Sequence, residues 1–160
     1  MVETSNAFQN APFVEKSSAL VEFEPMYTGS QFISTKKKNM DKTYNFLFCK
    51  GLKTRSYDDI WNLIINREYQ TFEKKKIFLG SFIDWDNTAR KGKKGLLFRN
   101  MSSEKFKHYF GIQVKKAKQN KAEDVFINAW NEWAEGTYLE PDKKHGFTYL
   151  QAIRDVINAK

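Results

Sequence analysis

The strongest constraint on the fold is a unit that recurs along the chain: a short apolar run, a polar turn, then a helix with one apolar stripe. Residues 18–23 (SALVEF) are β-prone and stop at Glu24-Pro25, where proline ends ladder pairing. Ser56 opens a helix, with Asp59 at capping-box spacing and Ile60, Trp61, Ile64 and Ile65 in two adjacent i,i+4 rows. Residues 77–82 (IFLGSF) form a second strand-length run, followed by the turn Ile83-Asp84-Trp85-Asp86-Asn87. Ser102 or Ser103 then caps a helix that turns Phe106, Phe110, Val114 and Ala117 toward a core. Residues 125–130 (VFINAW) are a third run, residues 131–146 a long loop, and residues 147–157 a helix with Leu150, Ile153 and Ile157 on one stripe. In the remaining stretch, residues 29–43 read as a lysine-rich loop, and residues 44–49 as a short strand or an excursion between elements. Strands alternating with helices imply right-handed crossovers and a parallel sheet, an α/β fold.

With 160 residues the chain suits one domain, residues 1–160, led in by residues 1–17. A composition 41% hydrophobic and 16% aromatic excludes disorder. No apolar run reaches the ~18 residues a bilayer span needs. The first twenty residues lack a basic start followed by an apolar block, so no secretory leader is expected. The single cysteine, Cys49, is expected as a small core residue in a reducing, cytoplasmic setting. Two distant histidines and one cysteine leave no zinc spacing, and neither a metal nor a cofactor is expected.

The net charge of +8 comes from lysine clusters at 36–38, 74–76, 91–94 and 115–121. Such clusters form a solvated surface, or draw in an anionic membrane surface, an activated sugar or a lipid phosphate. No finger, RNP-type strand or basic heptad accompanies them, so nucleic acid is not an expected partner.

Loops at the C-terminal ends of parallel strands carry function. Three acidic and aromatic patches fall there: Glu22-Phe23-Glu24, Asp84-Trp85-Asp86-Asn87 and Asn131-Glu132-Trp133-Ala134-Glu135. Together they suit a sugar, because rings stack on pyranose faces while carboxylates and amides bind hydroxyls. Glycosyl chemistry needs two carboxyl groups with opposed tasks, which makes Glu132 and Glu135 the candidate pair. The alternative is a helix N-terminus that favours both acids through its dipole. Asn131, Trp133, Tyr138, Asp86, Asn87 and Arg90 are candidate sugar contacts, the alternative for the Asp86 loop being its own side-chain hydrogen bonds. Glu22 and Glu24 point the same way, either into the cleft or into a salt bridge. Trp133 is assigned to the cleft and Trp130 to the core, while His145 marks the start of a helix. The spacing Asp84-Trp85-Asp86 also matches a metal–diphosphate motif, though two aspartates so spaced arise readily by chance.

These segments, with Tyr57-Asp58-Asp59-Ile60-Trp61, Gly80 and Trp85-Asp86-Asn87-Thr88-Ala89-Arg90, resemble the WbsX-type glycosyltransferases. Those are bacterial surface-polysaccharide proteins whose barrel is similar to glycoside hydrolase family 99. The resemblance spans residues 20–157 and implies a partial (β/α) TIM-type barrel, the C-terminal half of one. It implies that Glu135 is the general acid/base and that Glu132 acts on the sugar 2-hydroxyl or the anomeric centre. Ala89 replaces a proline of the family pattern. The first barrel strands lack counterparts here, which implies a missing N-terminal half or a homodimer to complete the cleft. The implied functions are glycosyl transfer in surface-polysaccharide synthesis, an endo-acting glycoside hydrolase, or an inactive sugar-binding half-domain. The implied partner is a carbohydrate or activated sugar.

Overall fold

A computed structural model describes residues 2–5, 17–69, 76–122 and 124–159. Most of the lead-in, residues 6–16, lies outside these, as do Lys74 and Lys75. Strands β1 (Val2–Ser5), β2 (Ala19–Glu22), β4 (Lys76–Phe82) and β6 (Val125–Asn128) form one sheet in the order β1-β2-β4-β6, parallel throughout. Helices α3 (Tyr57–Asn66), α5 (Ser103–Gln119) and α6 (Thr148–Asn158) follow or separate its strands. The α/β architecture expected from the alternation is present. Among the described residues the sheet is open and does not close into a barrel.

The three large helices sit where their sequence signals place them. Ser56 accepts a hydrogen bond from the Asp59 N–H at 3.3 Å, and Ser102 accepts one from the Lys105 N–H at 3.3 Å. Trp61 lies stacked between Phe82 and Tyr109, with ring centroids 5.2 and 5.5 Å away. The Tyr57 hydroxyl donates to the Ile83 carbonyl at 2.7 Å, fixing α3 to the end of β4. Phe106, Phe110 and Tyr149 extend this core toward α6. Ile157 does not join its expected stripe and is exposed. Leu150 and Ile153 pack against the core as expected, beside the buried Tyr149 and Ala152.

Residues 26–56 depart most from the sequence reading. The expected loop is helical: α1 (Met26–Gln31) and α2 (Thr35–Phe48) fill it, and the expected strand at 44–49 is the last turns of α2. Ser34 caps α2 by accepting from the Lys37 N–H at 3.2 Å, and the lysines that suggested a loop are good helix formers. The packed positions of α2 are polar. Asp41 and Asn45 are buried, and Asn45 exchanges hydrogen bonds with Thr54 at 3.1 and 2.6 Å. Short strands β3 (Lys53–Ser56) and β5 (Leu96–Arg99) pair in parallel as a second, two-stranded sheet. Neither shows period-two alternation, so sequence reading passes over both. Cys49 is only partly buried, at the edge of the Asn45–Thr54 contact rather than in the core.

Gly80 is required where β4 meets β2, because a Cβ there would fall 1.9 Å from the Glu22 carbonyl oxygen. Beyond that crossing, Glu22 and Glu24 are buried around Arg67. Arg67 Nη2 lies 2.6 Å from Glu22 Oε2 and 3.2 Å from Glu24 Oε1. The Thr28 hydroxyl donates to Glu24 at 2.7 Å, and Arg67 donates to the Thr28 oxygen. Lys116 caps the end of α3, donating to the Ile64 and Arg67 carbonyls. Of the two sequence readings for Glu22 and Glu24, these contacts are the salt bridge.

Burial pushes the Glu22 carboxyl up and the Glu24 carboxyl up to about 7, against the pull of Arg67. The folded state therefore binds these protons more tightly than the unfolded chain. Their contribution to stability is present at low pH and is lost as pH rises from about 4.5 toward about 7. For Glu24 the loss is at most about 3 kcal/mol. Denaturant melts are expected to show greater stability at pH 5 than at pH 8, with the difference shrinking in Glu24→Gln. An unchanged pH slope in the variant would show that Glu24 is not the group responsible.

Candidate functional site

Two loops from the C-terminal ends of β4 and β6 meet at the glutamate-rich motif. After β6 the chain enters a short hairpin of β7 (Asn131–Glu132) and β8 (Thr137–Tyr138), paired antiparallel. A 3-10 turn, Trp133–Glu135, connects them. The expected long loop is thus an ordered β-turn structure, and the helix N-terminus weighed against a catalytic reading is only this single turn. Gly136 ends the turn at φ +64°, in the left-handed region that favours glycine. A Cβ at Gly136 would lie 2.8 Å from the Asp86 carbonyl oxygen and 2.9 Å from the Asp86 nitrogen. This close approach lets the Asp86 N–H donate to the Glu135 carbonyl at 2.8 Å.

The β4 loop is held from both sides. Asp86 Oδ1 accepts from the Thr88 N–H at 2.9 Å and from its hydroxyl at 2.5 Å, starting the short helix α4 (Thr88–Lys91). Asn87 is buried and accepts the Leu96 N–H at 2.7 Å, and the Phe98 N–H donates to the Trp85 carbonyl at 2.9 Å. The side chains of Asp86 and Asn87 therefore hold their own loop. Arg90, one turn further on, forms an ion pair with the Glu135 carboxylate across the two loops.

Glu135 is partly buried, whereas Glu132 and Asn131 are exposed. Trp133 and Tyr138 stack with centroids 3.9 Å apart and planes 18° apart, and the Trp133 face is 48% exposed. The Trp133 indole N–H donates to Glu140 at 2.7 Å, and the Tyr138 hydroxyl donates to Asp142 at 2.7 Å. The stacked pair is thus an aromatic surface held by hydrogen bonds to two carboxylates. Trp130 is not in the core but half exposed: the chain turns there, and its carbonyl accepts the Leu139 and Glu140 N–H groups. His145 lies in the turn that leads into the final helix, its carbonyl accepting the Thr148 N–H while its Nδ1 lies 2.9 Å from Asp142.

Asp84 is read from the sequence as part of an acidic patch and of a diphosphate pattern, but is not named among the site residues. Burial, reinforced by the nearby Asp86 charge, raises its carboxyl to about 6 against opposing pulls from the Trp85 N–H, Lys144 and His145. Its field also reaches Tyr138 and Tyr149: burial raises the Tyr138 hydroxyl to about 12 and pushes the Tyr149 hydroxyl well up. A carboxyl raised toward neutrality by burial, on the same loop whose Arg90 pairs with Glu135, is the kind of environment that acid–base chemistry uses. Its sequence signal was an aspartate directly after a buried strand end, next to a tryptophan. Glu22 and Glu24 are engaged with Arg67 and Thr28, and reach this region only through the Glu24 carbonyl, which accepts from Asn128 at 2.9 Å. Among the described residues no three His, Cys, Asp or Glu side chains gather as a metal-ligating group.

Residues 1–153 match the family Glycosyltransferase WbsX. The chain belongs to the WbsX family. Two curated relatives, both "Uncharacterized protein WxcX" of Xanthomonas campestris pv. campestris, from strains B100 and ATCC 33913, are 38% identical over 76 residues. That alignment covers 46% of this chain and 11% of each relative, so the aligned part of the chain spans about a tenth of their length. No solved structure matches the chain.

Gly136→Ala is expected to destabilise the fold by about 1–3 kcal/mol, because the residue meets both a positive φ and the Asp86 backbone. Denaturant unfolding reads the cost. A loss below a few tenths of a kcal/mol would mean that the two loops do not depend on this approach.

Proposed function

We propose that the chain carries the acidic half of a glycosyl-transfer centre acting in bacterial surface-polysaccharide assembly. The observation that carries this reading is the Arg90–Glu135 ion pair, which joins the β4 and β6 loops beside the exposed Trp133–Tyr138 stack. Family membership supports the reaction class. In this reading the open sheet is one part of a (β/α) barrel, completed by further polypeptide or by a second copy.

Trp133 and Tyr138 stack on a sugar ring and hold it over the turn. Glu135 is the central reacting carboxylate, with Arg90 as its counter-ion until substrate binds. Glu132, which has no such partner among the described residues, addresses the sugar 2-hydroxyl or the anomeric centre. Asp84 supplies a proton reservoir near neutrality from the adjoining loop. Asp86 and Asn87 act by holding the loop that presents Arg90, and Asn131 offers an exposed amide to hydroxyls. Endo-acting glycoside hydrolysis is the second reading, favoured by the same carboxylates. The two differ in whether a sugar or water accepts the glycosyl group.

In a polypeptide that transfers or hydrolyses glycosyl groups, Glu135→Gln is expected to lower turnover by about 10²–10⁴-fold. His108→Ala, on the exposed side of α5, serves as the control and leaves turnover intact. Product formation from a panel of activated sugars measures both. Turnover retained in Glu135→Gln would remove Glu135 from the reaction.

A further inference from the structure

Beside the glutamate site the chain holds a second, differently charged cavity. α2, β3 and the segment from α4 to β5 enclose a pocket of about 570 Å³, within the range of small-molecule sites. Six cationic side chains line it: Lys38 and Lys42 from α2, Lys53 and Arg55 from β3, and Lys91 and Lys94 beyond the β4 loop. The one acid on its wall, Asp41, is committed elsewhere. Its carboxylate lies 3.4 Å from Lys37, which also holds Asp59 at 2.5 Å.

The five lysines are exposed, but they border one concavity whose lining includes a single acid, Asp41. Arg55 is the sharpest case. It is only partly exposed, and its sole hydrogen bond runs from Nη1 to the Gly29 carbonyl at 3.3 Å. Among the described residues no carboxylate forms an ion pair with it, and burial lowers its affinity for its proton against the opposing charge of Asp41. Trp85, also on the wall, is 3% exposed and keeps a buried indole N–H without a hydrogen-bond partner. Clustered cations repel one another, and a bound polyanion removes that cost while using the donors.

We propose that this pocket is a binding site for a phosphate or diphosphate group, separate from the Glu132–Glu135 turn. Two sources present that chemistry: a soluble nucleotide, or a phosphate carried on an apolar chain. The second has a place to lie, because Met40, Tyr44, Leu47 and Phe48 form an exposed apolar stripe on α2, and Asn39 borders both the stripe and the pocket. Exposed apolar stripes flanked by lysines are the pattern of interfacial helices. The sum of the helix is thus a polar buried face and an apolar outer one, the reverse of an ordinary surface helix.

Titration calorimetry on the 160-residue chain with inorganic pyrophosphate tests the site. One saturable site is expected, weakened at least tenfold in the double variant Lys53→Gln/Arg55→Gln. The exposed pair Lys38→Gln/Lys94→Gln gives the same loss in case Arg55 is needed for folding. Lys115→Gln/Lys118→Gln, on α5, removes equal charge and is expected to leave binding unchanged. Tighter binding of uridine diphosphate than of pyrophosphate identifies the soluble source. Cosedimentation with phosphatidic acid vesicles, abolished by Leu47→Gln, identifies the lipid-borne one. The proposal is overturned if neither pyrophosphate nor the vesicles bind, or if the α5 control loses as much affinity as the pocket variants. These assays read binding and not turnover, so their outcome is separate from that of the glycosyl-transfer reading.

Discussion

Arg67 ties together the elements on which the sheet's functional end rests. One guanidinium lies between the Glu22 and Glu24 carboxylates at the end of β2, donates to Thr28 of α1, and faces the rings of Tyr27 and Phe32 at 4.9 Å each. Its own carbonyl receives Lys116 from α5. A buried charge without partners is far more costly than a buried pair. Strand end, first helix, third helix and fifth helix must therefore be assembled at once for any of these charges to be tolerated. The cluster makes the arrangement of α1, α3 and α5 around β2 a joint condition rather than a set of separate contacts.

From that fixed base, the two loops after β4 and β6 face each other through backbone as much as through side chains. Gly136 lets Asp86 come close enough for its N–H to reach the Glu135 carbonyl, and the Arg90–Glu135 ion pair follows from the same closeness. The result is a division of labour within one acidic stretch. Asp86 and Asn87 stabilise geometry, Glu132 and Trp133 remain open to solvent, and Asp84 sits where burial raises its carboxyl to about 6. Residues three positions apart in sequence, Glu132 and Glu135, thereby have different surroundings, one exposed and one joined to a cation.

The opposite side of the β4 loop faces a cationic wall, so the region carries acids on one flank and lysines on the other. Trp85, Asn87 and Leu96 belong to both: they hold the loop that presents Arg90 and they line the lysine-rich pocket. The region therefore carries charge of both signs within one loop's reach. That physical pairing is more informative than the net charge of +8, which by itself is compatible with a merely solvated surface.

Where the chain's local signals and its packing agree, the sequence was sufficient. Ser56 and Ser102 cap the helices they announce, Trp61, Ile60 and Ile64 are buried, and the runs at 19–22, 76–82 and 125–128 are parallel strands. That the loops after β4 and β6 come together was legible as well, because acidic and aromatic residues crowd both strand ends. α2 was not legible, because its buried face is Asp41 and Asn45 and its aromatics point outward, so hydrophobic patterning indicated the wrong element. Trp130 and Ile157 failed likewise, being apolar residues that the chain's path leaves outside. The strands β3 and β5 depend on pairing partners more than forty positions apart, as Lys53 with Leu96, and carry too few residues for periodicity to speak. The elevated proton affinities of Glu24 and Asp84, the Arg90–Glu135 pair and the cationic pocket exist only through tertiary structure. Desolvation and charge convergence depend on which distant segments fold against one another, and no local run of residues records that.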